Sequence, residues 1–317
     1  MKRHHLITTG IAALALLVSD CAPKAGRPAA RVEKPQAASG FVDVAGGRLT
    51  YFIEGEGIPC ITATEGLLMS RALSKQLRKH FRFIFLNSRV NVQHETSFKI
   101  DGITMDTLVD DIEQVRKALD LDKICVLGHS IAGLIALEYA RKYPQHTSHV
   151  IMHGTPPNFS SDADDIKARY WGSHASPERK AIYKRKWDDL PEDTLSSLSP
   201  SDAGILRYIT DGPKIWYDPT NDYSWLFDGI FWNVEVWDQI FNVIMKEYDI
   251  AQGSLINTPV FLALGRHDYY TVPPWWDDEK SKLPNLTCVL FEKSGHYPML
   301  EEQALFDSLL IEWIKGE

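Results

Sequence analysis

The stretch that most constrains the fold is "KICVLGHSIAGLIALEYARKY", Lys123 to Tyr143. A short, wholly apolar run stops at a turn of small residues around Ser130, and a helical pattern begins at once. An apolar run with no alternation is the mark of a strand buried on both faces, as in parallel sheets. The same rhythm runs on either side. "PCITATEG" reads as a strand and "LLMSRALSKQLRKHF" as a helix. "RFIFLNSRV" is the next strand, and "TMDTLVDDIEQVRKALDL" a helix with its stripe at Met105, Leu108, Ile112, Val115 and Leu119. "SHVIMHGT" is another strand. Strands alternating with helices predict βαβ units and a mostly parallel sheet. The opening "GFVDVAGGRLTYFIEGEG" differs: two alternating runs around Gly46-Gly47 predict a β-hairpin.

The rhythm breaks at Pro157 and resumes after Gln252, with "PVFLALGRHD", a short helix near "PPWWDDEKSKL", "LTCVLFEKSGH" and "PMLEEQALFDSLLIEWI". The interval holds six of the nine tryptophans and few strand-like runs. It predicts a mostly helical cap over 157–252, inserted into a sheet domain made of 40–156 and 253–317.

The N-terminus follows a different logic. Basic "MKRHH" precedes apolar "LITTGIAALALLVS", too short for a comfortable membrane span. This is a secretory signal pattern over 1–20. Cys21 follows directly and resembles a lipoprotein lipid-attachment cysteine, although Asp20 stands where a small residue is usual. The stretch 21–39, rich in Pro, Ala and charge, reads as a flexible tether. The expectation is an exported protein, periplasmic or held at a membrane through Cys21 or the N-terminal segment.

The net charge of −8 and the lack of a basic stripe speak against a nucleic-acid partner. Cys60, Cys125 and Cys288 each lie in an apolar run and read as core thiols. No metal-ligand spacing is present: there is no C-x-x-C and no H-E-x-x-H.

A serine at the end of a strand, turning sharply into a helix, presents its hydroxyl above the sheet edge. It also sets the next residue's N–H at the helix start. The turn needs small neighbours, here Gly128 and Ala132. A serine hydroxyl is a poor nucleophile without a base, and the base needs an orienting acid. On this architecture the chain order is serine, acid, histidine. Asp268 ends the strand run of "FLALGRHD", and His296 follows "LTCVLFEKSG". Both stand at carboxyl ends of predicted parallel strands, where open α/β sheets carry their sites. His129 and His267 adjoin these positions and read as structural.

With these residues in place, the chain after the tether resembles the α/β-hydrolase family. The tail "GRHDYYTVPPWW" with "KLPNLTCVLFEKSGHYPMLEEQALFDSLLIEWI" is similar to proline iminopeptidases and their hydrolase relatives. The resemblance implies an α/β fold with an eight-stranded, mostly parallel sheet and a helical cap after strand six. It implies no metal and no organic cofactor. It also implies an oxyanion hole built from the backbone N–H groups of Leu67 and Ile131. Three features depart from the family pattern. Glu65 stands where the family has histidine before Gly66. "GHSIA" replaces the peptidases' Gly-Gly-Ser-Trp-Gly. "NSRVNVQHETS" keeps only Arg89 and Ser97 of the usual arginine–serine motif.

An aminopeptidase of this kind holds its substrate's ammonium with acids of the cap. In "GIFWNVEVWDQIFNVI" an apolar stripe runs through Ile230, Val234, Trp237, Phe241 and Ile244, with Asp238 on it and Glu235 at its border. Facing the pocket, these two acids would bind an amine; paired with a lysine or arginine, they would be structural. The acids around Asp188, Asp189, Glu192 and Asp193 read as a solvated loop. The reading is a serine hydrolase acting on small-molecule or short-peptide substrates, iminopeptidase-like. A carboxylesterase for small or medium acyl esters, or a hydrolase-fold binding lipoprotein without turnover, stand as alternatives.

Overall fold

The computed structural model describes residues 38–93, 99–191, 193–246, 248–254 and 256–316. The expected signal segment, Cys21, Ser97 and Glu192 lie outside the described residues. Of the expected tether, only Ala38 and Ser39 are described, and both already belong to the first strand.

Eight strands form one sheet: β1 (Ala38–Val44), β2 (Gly47–Glu54), β3 (Ile58–Thr62), β4 (Phe81–Asn87), β5 (Ile124–His129), β6 (Thr147–His153), β7 (Val260–Gly265) and β8 (Leu286–Phe291). Their order is β1-β2-β4-β3-β5-β6-β7-β8. Pairing is antiparallel for β1 with β2 and β2 with β4, and parallel from β4 to β8. The first hairpin turns one residue earlier than its glycine pair suggests, because Gly47 already pairs with Val44.

Helices fill both faces. Before the insertion lie α1 (Gly66–Ala72), α2 (Met105–Ala118) and α3 (Ala132–Lys142). Between β6 and β7 lie α4 (Ala163–His174), α5 (Pro177–Asp188), α6 (Thr194–Ser197), α7 (Pro200–Thr210), α8 (Gly212–Ile215) and α9 (Val234–Gln239). The last two are α10 (Pro298–Glu301) and α11 (Gln303–Lys315). Every residue of β5 and β7 is buried, the signature of central parallel strands. Alternate residues serve opposite cores. Ile124 and Val126 pack with the α2 and α3 side, Cys125 and Leu127 with the α1 and α11 side. The predicted stripe of α2 is the face that buries Leu108, Ile112 and Val115. A capping box of Thr104 with Thr107 starts that helix.

A buried ion pair ties the segment after β4 to α2. Arg89, after β4, grips Asp111 of α2 through two bonds of 2.6 and 2.9 Å and also donates to the Ala45 carbonyl.

Candidate active site

Ser130 sits between β5 and α3 in the left-handed region, at φ 53°. That conformation costs a non-glycine residue about 1–2 kcal/mol. The surroundings impose it: the Ser130 N–H donates to the His153 carbonyl at 2.9 Å, and α3 follows immediately. The turn has no room for side chains. A Cβ on Gly128 would lie 2.2 Å from the Ala132 carbonyl oxygen, and one on Gly133 2.0 Å from Thr155 Oγ1. The N–H of Ile131, at the mouth of α3, has no acceptor among the described residues.

Asp268 follows β7 and is fully buried. Its Oδ1 accepts the N–H groups of Tyr270 and Thr271, both at 2.8 Å, which fixes the carboxylate plane. Its Oδ2 lies 2.6 Å from His296 Nδ1. The His296 loop, after β8, is clamped on several sides. The His296 N–H donates to the Ile215 carbonyl at 2.7 Å, at the end of α8. The neighbouring Gly295 N–H donates to Glu301 at 2.7 Å, and His129 Nε2 lies 3.2 Å from the His296 carbonyl oxygen. Glu301 also accepts the Tyr217 N–H at 2.6 Å, and burial pushes its carboxyl up to about 7. Gly154, at φ 56°, leaves space for the ring.

With Nδ1 held by Asp268, Nε2 is left for the cavity that Ser130 and His296 both line. No hydrogen bond joins the Ser130 hydroxyl to His296 among the described residues. Such pairs commonly close only when a substrate is bound. So the structure brings Ser130, His296 and Asp268 to one end of the sheet, from three separate loops.

The cavity measures 420 Å³. Its walls are mostly aromatic and aliphatic: Phe159, Tyr208, Trp232, Val234, Trp237, Phe241, Tyr270 and Trp275 surround Ser130, Ile131, His129, His296 and Tyr297. One carboxylate, Glu65, and one ammonium, Lys167, also line it; Lys167 is paired with Asp164 at 2.6 Å.

Three sequence expectations fail here. Leu67 does not line the cavity, and its N–H is directed to Asn87 Oδ1 at 3.3 Å, at the end of β4. The Gly66 N–H, one residue earlier, has no acceptor among the described residues. Glu235 and Asp238 are exposed and stand outside the cavity lining, and Asp238 accepts a bond from Asn242. The reason lies in the helix. Val236 and Ile240 are buried against the core, while Val234, Trp237 and Phe241 form the cavity wall beside it. Asp238 comes two residues after Val236, about 200° round a helix, and so faces solvent. After Gln239 the helix widens into a π turn, Ile240–Ile244, which shifts the phase again.

Two further histidines are buried near the site. His129 lines the cavity and meets the His296 ring edge-on at 4.5 Å. Burial holds it neutral, well below its ordinary value. His153 stacks on His129 at 5.0 Å, and burial pushes it down to about 3. His267 stays outside the lining, against the Tyr217 ring. Sequence patterning gave no sign of His153, because a histidine ending an apolar strand looks like any strand end.

A sheet of this order, with a serine elbow after β5 and an acid and a histidine after β7 and β8, defines an α/β hydrolase. The chain belongs to that family: residues 58–303 match the model of the alpha/beta hydrolase fold. The AB hydrolase superfamily protein YclE of Bacillus subtilis is 30% identical over 268 residues, covering 84% of this chain and 95% of that protein. A proline iminopeptidase of Flavobacterium johnsoniae is 27% identical over 220 residues, 67% of this chain and 72% of that protein. Among solved structures, a proline iminopeptidase-related protein of Thermus thermophilus superposes with a TM-score of 0.65 at 19% identity, covering 87% of this chain and 96% of that one. An esterase of Exiguobacterium antarcticum gives 0.61 at 18%, covering 87% and 98%.

Proposed function

We propose that the chain is a serine hydrolase that cleaves ester or amide bonds of small, largely apolar substrates. The observation that carries this reading is the Ser130 elbow facing one cavity with the Asp268-bound His296. Ser130 attacks the carbonyl carbon while His296 Nε2 takes its proton. Asp268 holds the ring with Nδ1–H inward and stabilises the imidazolium. The tetrahedral oxyanion forms against the N–H of Ile131, which lines the cavity beside Ser130; one such donor is worth about 3 kcal/mol. His296 returns the proton to the leaving alcohol or amine, and water resolves the acyl-enzyme by the reverse steps.

The apolar walls favour acyl groups without charge over much of their length. The iminopeptidase reading loses its cap acids, since Glu235 and Asp238 are exposed. An amine, if bound, needs another partner. The signal pattern over 1–20 supports export, and Cys21 supports a lipid anchor.

A fluorophosphonate probe tests the reaction class. The protein is expected to label at Ser130 and to hydrolyse p-nitrophenyl butyrate. Ser130→Ala should lose both, with kcat down by about 10⁴-fold or more. A folded protein that neither labels nor turns over the ester would be a binding protein on a hydrolase scaffold.

A further inference from the structure

Glu65 is the cavity carboxylate that the proposed reaction leaves unused. It lies between β3 and α1, only 8% exposed, at φ 53° and ψ 44°. Glycine takes that conformation freely, whereas a glutamate there costs about 1 kcal/mol or more. The backbone is pinned by the Glu65 N–H on Asn91 Oδ1 at 2.9 Å. The side chain is held by one bond, from Trp232 Nε1 to Oε1 at 2.8 Å. Among the described residues no lysine, arginine or second donor is hydrogen-bonded to the carboxylate, and His296 is near enough to act on it electrostatically. Its neighbours are aromatic instead: Trp232 meets Tyr208 edge-on at 5.6 Å and Trp237 at 6.4 Å.

A buried carboxylate without a counter-charge is expensive. Here burial pushes the carboxyl up to about 7, so the free protein carries it partly protonated. A positive ligand would change both facts. It would supply a permanent counter-charge, in a cavity whose largely aromatic walls also suit a cation. It would also remove an electrostatic conflict. An ionised Glu65 facing the same cavity as Ser130 opposes a developing oxyanion, and a cation bound between them cancels that opposition.

We infer that Glu65 and the aromatic rings beside it form a subsite for a cationic nitrogen of the substrate, an ammonium or alkylammonium group. The inference rests on the serine-hydrolase reading for its reaction. It restores an amine-bearing substrate through a residue of the core rather than through the cap acids. The charge can sit on the acyl part or on the alcohol part, and the two are separated by matched substrates of equal shape.

The test compares acetylcholine with neohexyl acetate, its uncharged carbon isostere, and alanine p-nitroanilide with isobutyryl p-nitroanilide. The readout is the ratio of kcat/KM, charged over neutral. The wild-type ratio should favour the cation in at least one pair by about tenfold, and Glu65→Gln should erase that preference. Glutamine keeps the acceptor for Trp232 and removes only the charge; fluorophosphonate labelling of the variant certifies its fold. A wild-type protein indifferent to charge in both pairs, or a preference that survives in Glu65→Gln, overturns the inference. If the wild type does not label at all, the reaction reading fails separately. The subsite is then read by quenching of tryptophan fluorescence with benzyltrimethylammonium: saturable in wild type and weakened about tenfold in Glu65→Gln if the subsite exists, equal or absent in both if it does not.

Discussion

Replacing Glu65 by glutamine should alter the pH dependence of stability in a direction that the burial dictates. In the unfolded chain this carboxyl titrates near 4.5, and in the folded protein at about 7. Desolvation is the main cause; the Trp232 bond and the nearby His296 act the other way. His296, Tyr208 and Tyr297 are the titratable side chains that face it electrostatically. Below the lower value both states hold the proton and the carboxyl behaves as a neutral hydrogen-bonding group. As pH rises through the window, the unfolded chain releases its proton while the folded chain must keep it. Folded stability therefore falls between 4.5 and about 7, and the loss is complete once the folded group has ionised. At about 1.4 kcal/mol per pH unit the full loss is about 3 kcal/mol, and contact with the open cavity reduces it to about 2–3 kcal/mol. Glutamine does not titrate. Urea unfolding of both proteins from about pH 4 to about pH 8 should show Glu65→Gln gaining about 2–3 kcal/mol on the wild type across that range. Glu301 titrates in the same window but is present in both proteins, so its effect cancels in the difference. A difference that stays flat within about 0.5 kcal/mol would refute the claim that this carboxylate is held away from water.

The remaining expectations concern other parts of the scaffold. Asp268→Asn would set an amide N–H₂ against either His296 Nδ1–H or the N–H groups of Tyr270 and Thr271, all donors. The ring should adopt the wrong tautomer, and kcat should fall about 10⁴-fold with little change in the thermal midpoint. Asp111→Ala would remove the carboxylate that takes two bonds from the Arg89 guanidinium, itself 1% exposed. Chemical denaturation should read a loss of about 3–5 kcal/mol, and a loss under about 1 kcal/mol would mean that water or another partner compensates the arginine.

Much of the site was legible in one dimension because its constraints are local or ordered along the chain. The serine elbow needs a strand, small residues and a helix within fifteen positions, and "VLGHSIAGLIALEYA" supplies all of them. Asp268 and His296 stand out because parallel strands deliver their carboxyl ends to one edge. The cap acids misled for a geometric reason. A helix that borders both a core and a cavity has two apolar faces side by side, and periodicity merges them into one stripe. The stripe at Val234, Trp237 and Phe241 is real, but it is the cavity wall rather than the core face, and the acids beside it fall to solvent.

The alternation of apolar runs and helical stripes determined the sheet, its mostly parallel sense and the edge at which the three loops meet, since burial of period-two and period-3.6 patterns admits few arrangements. Which carboxylate enters the cavity was decided only in three dimensions. Glu65 comes from the end of β3 and Trp232 from the chain before α9, separated by 167 residues and joined by a single hydrogen bond. The same holds for the Leu67 N–H, which Asn87 claims from the neighbouring strand β4. Partners set by tertiary packing leave no spacing in the sequence, because nothing local depends on them.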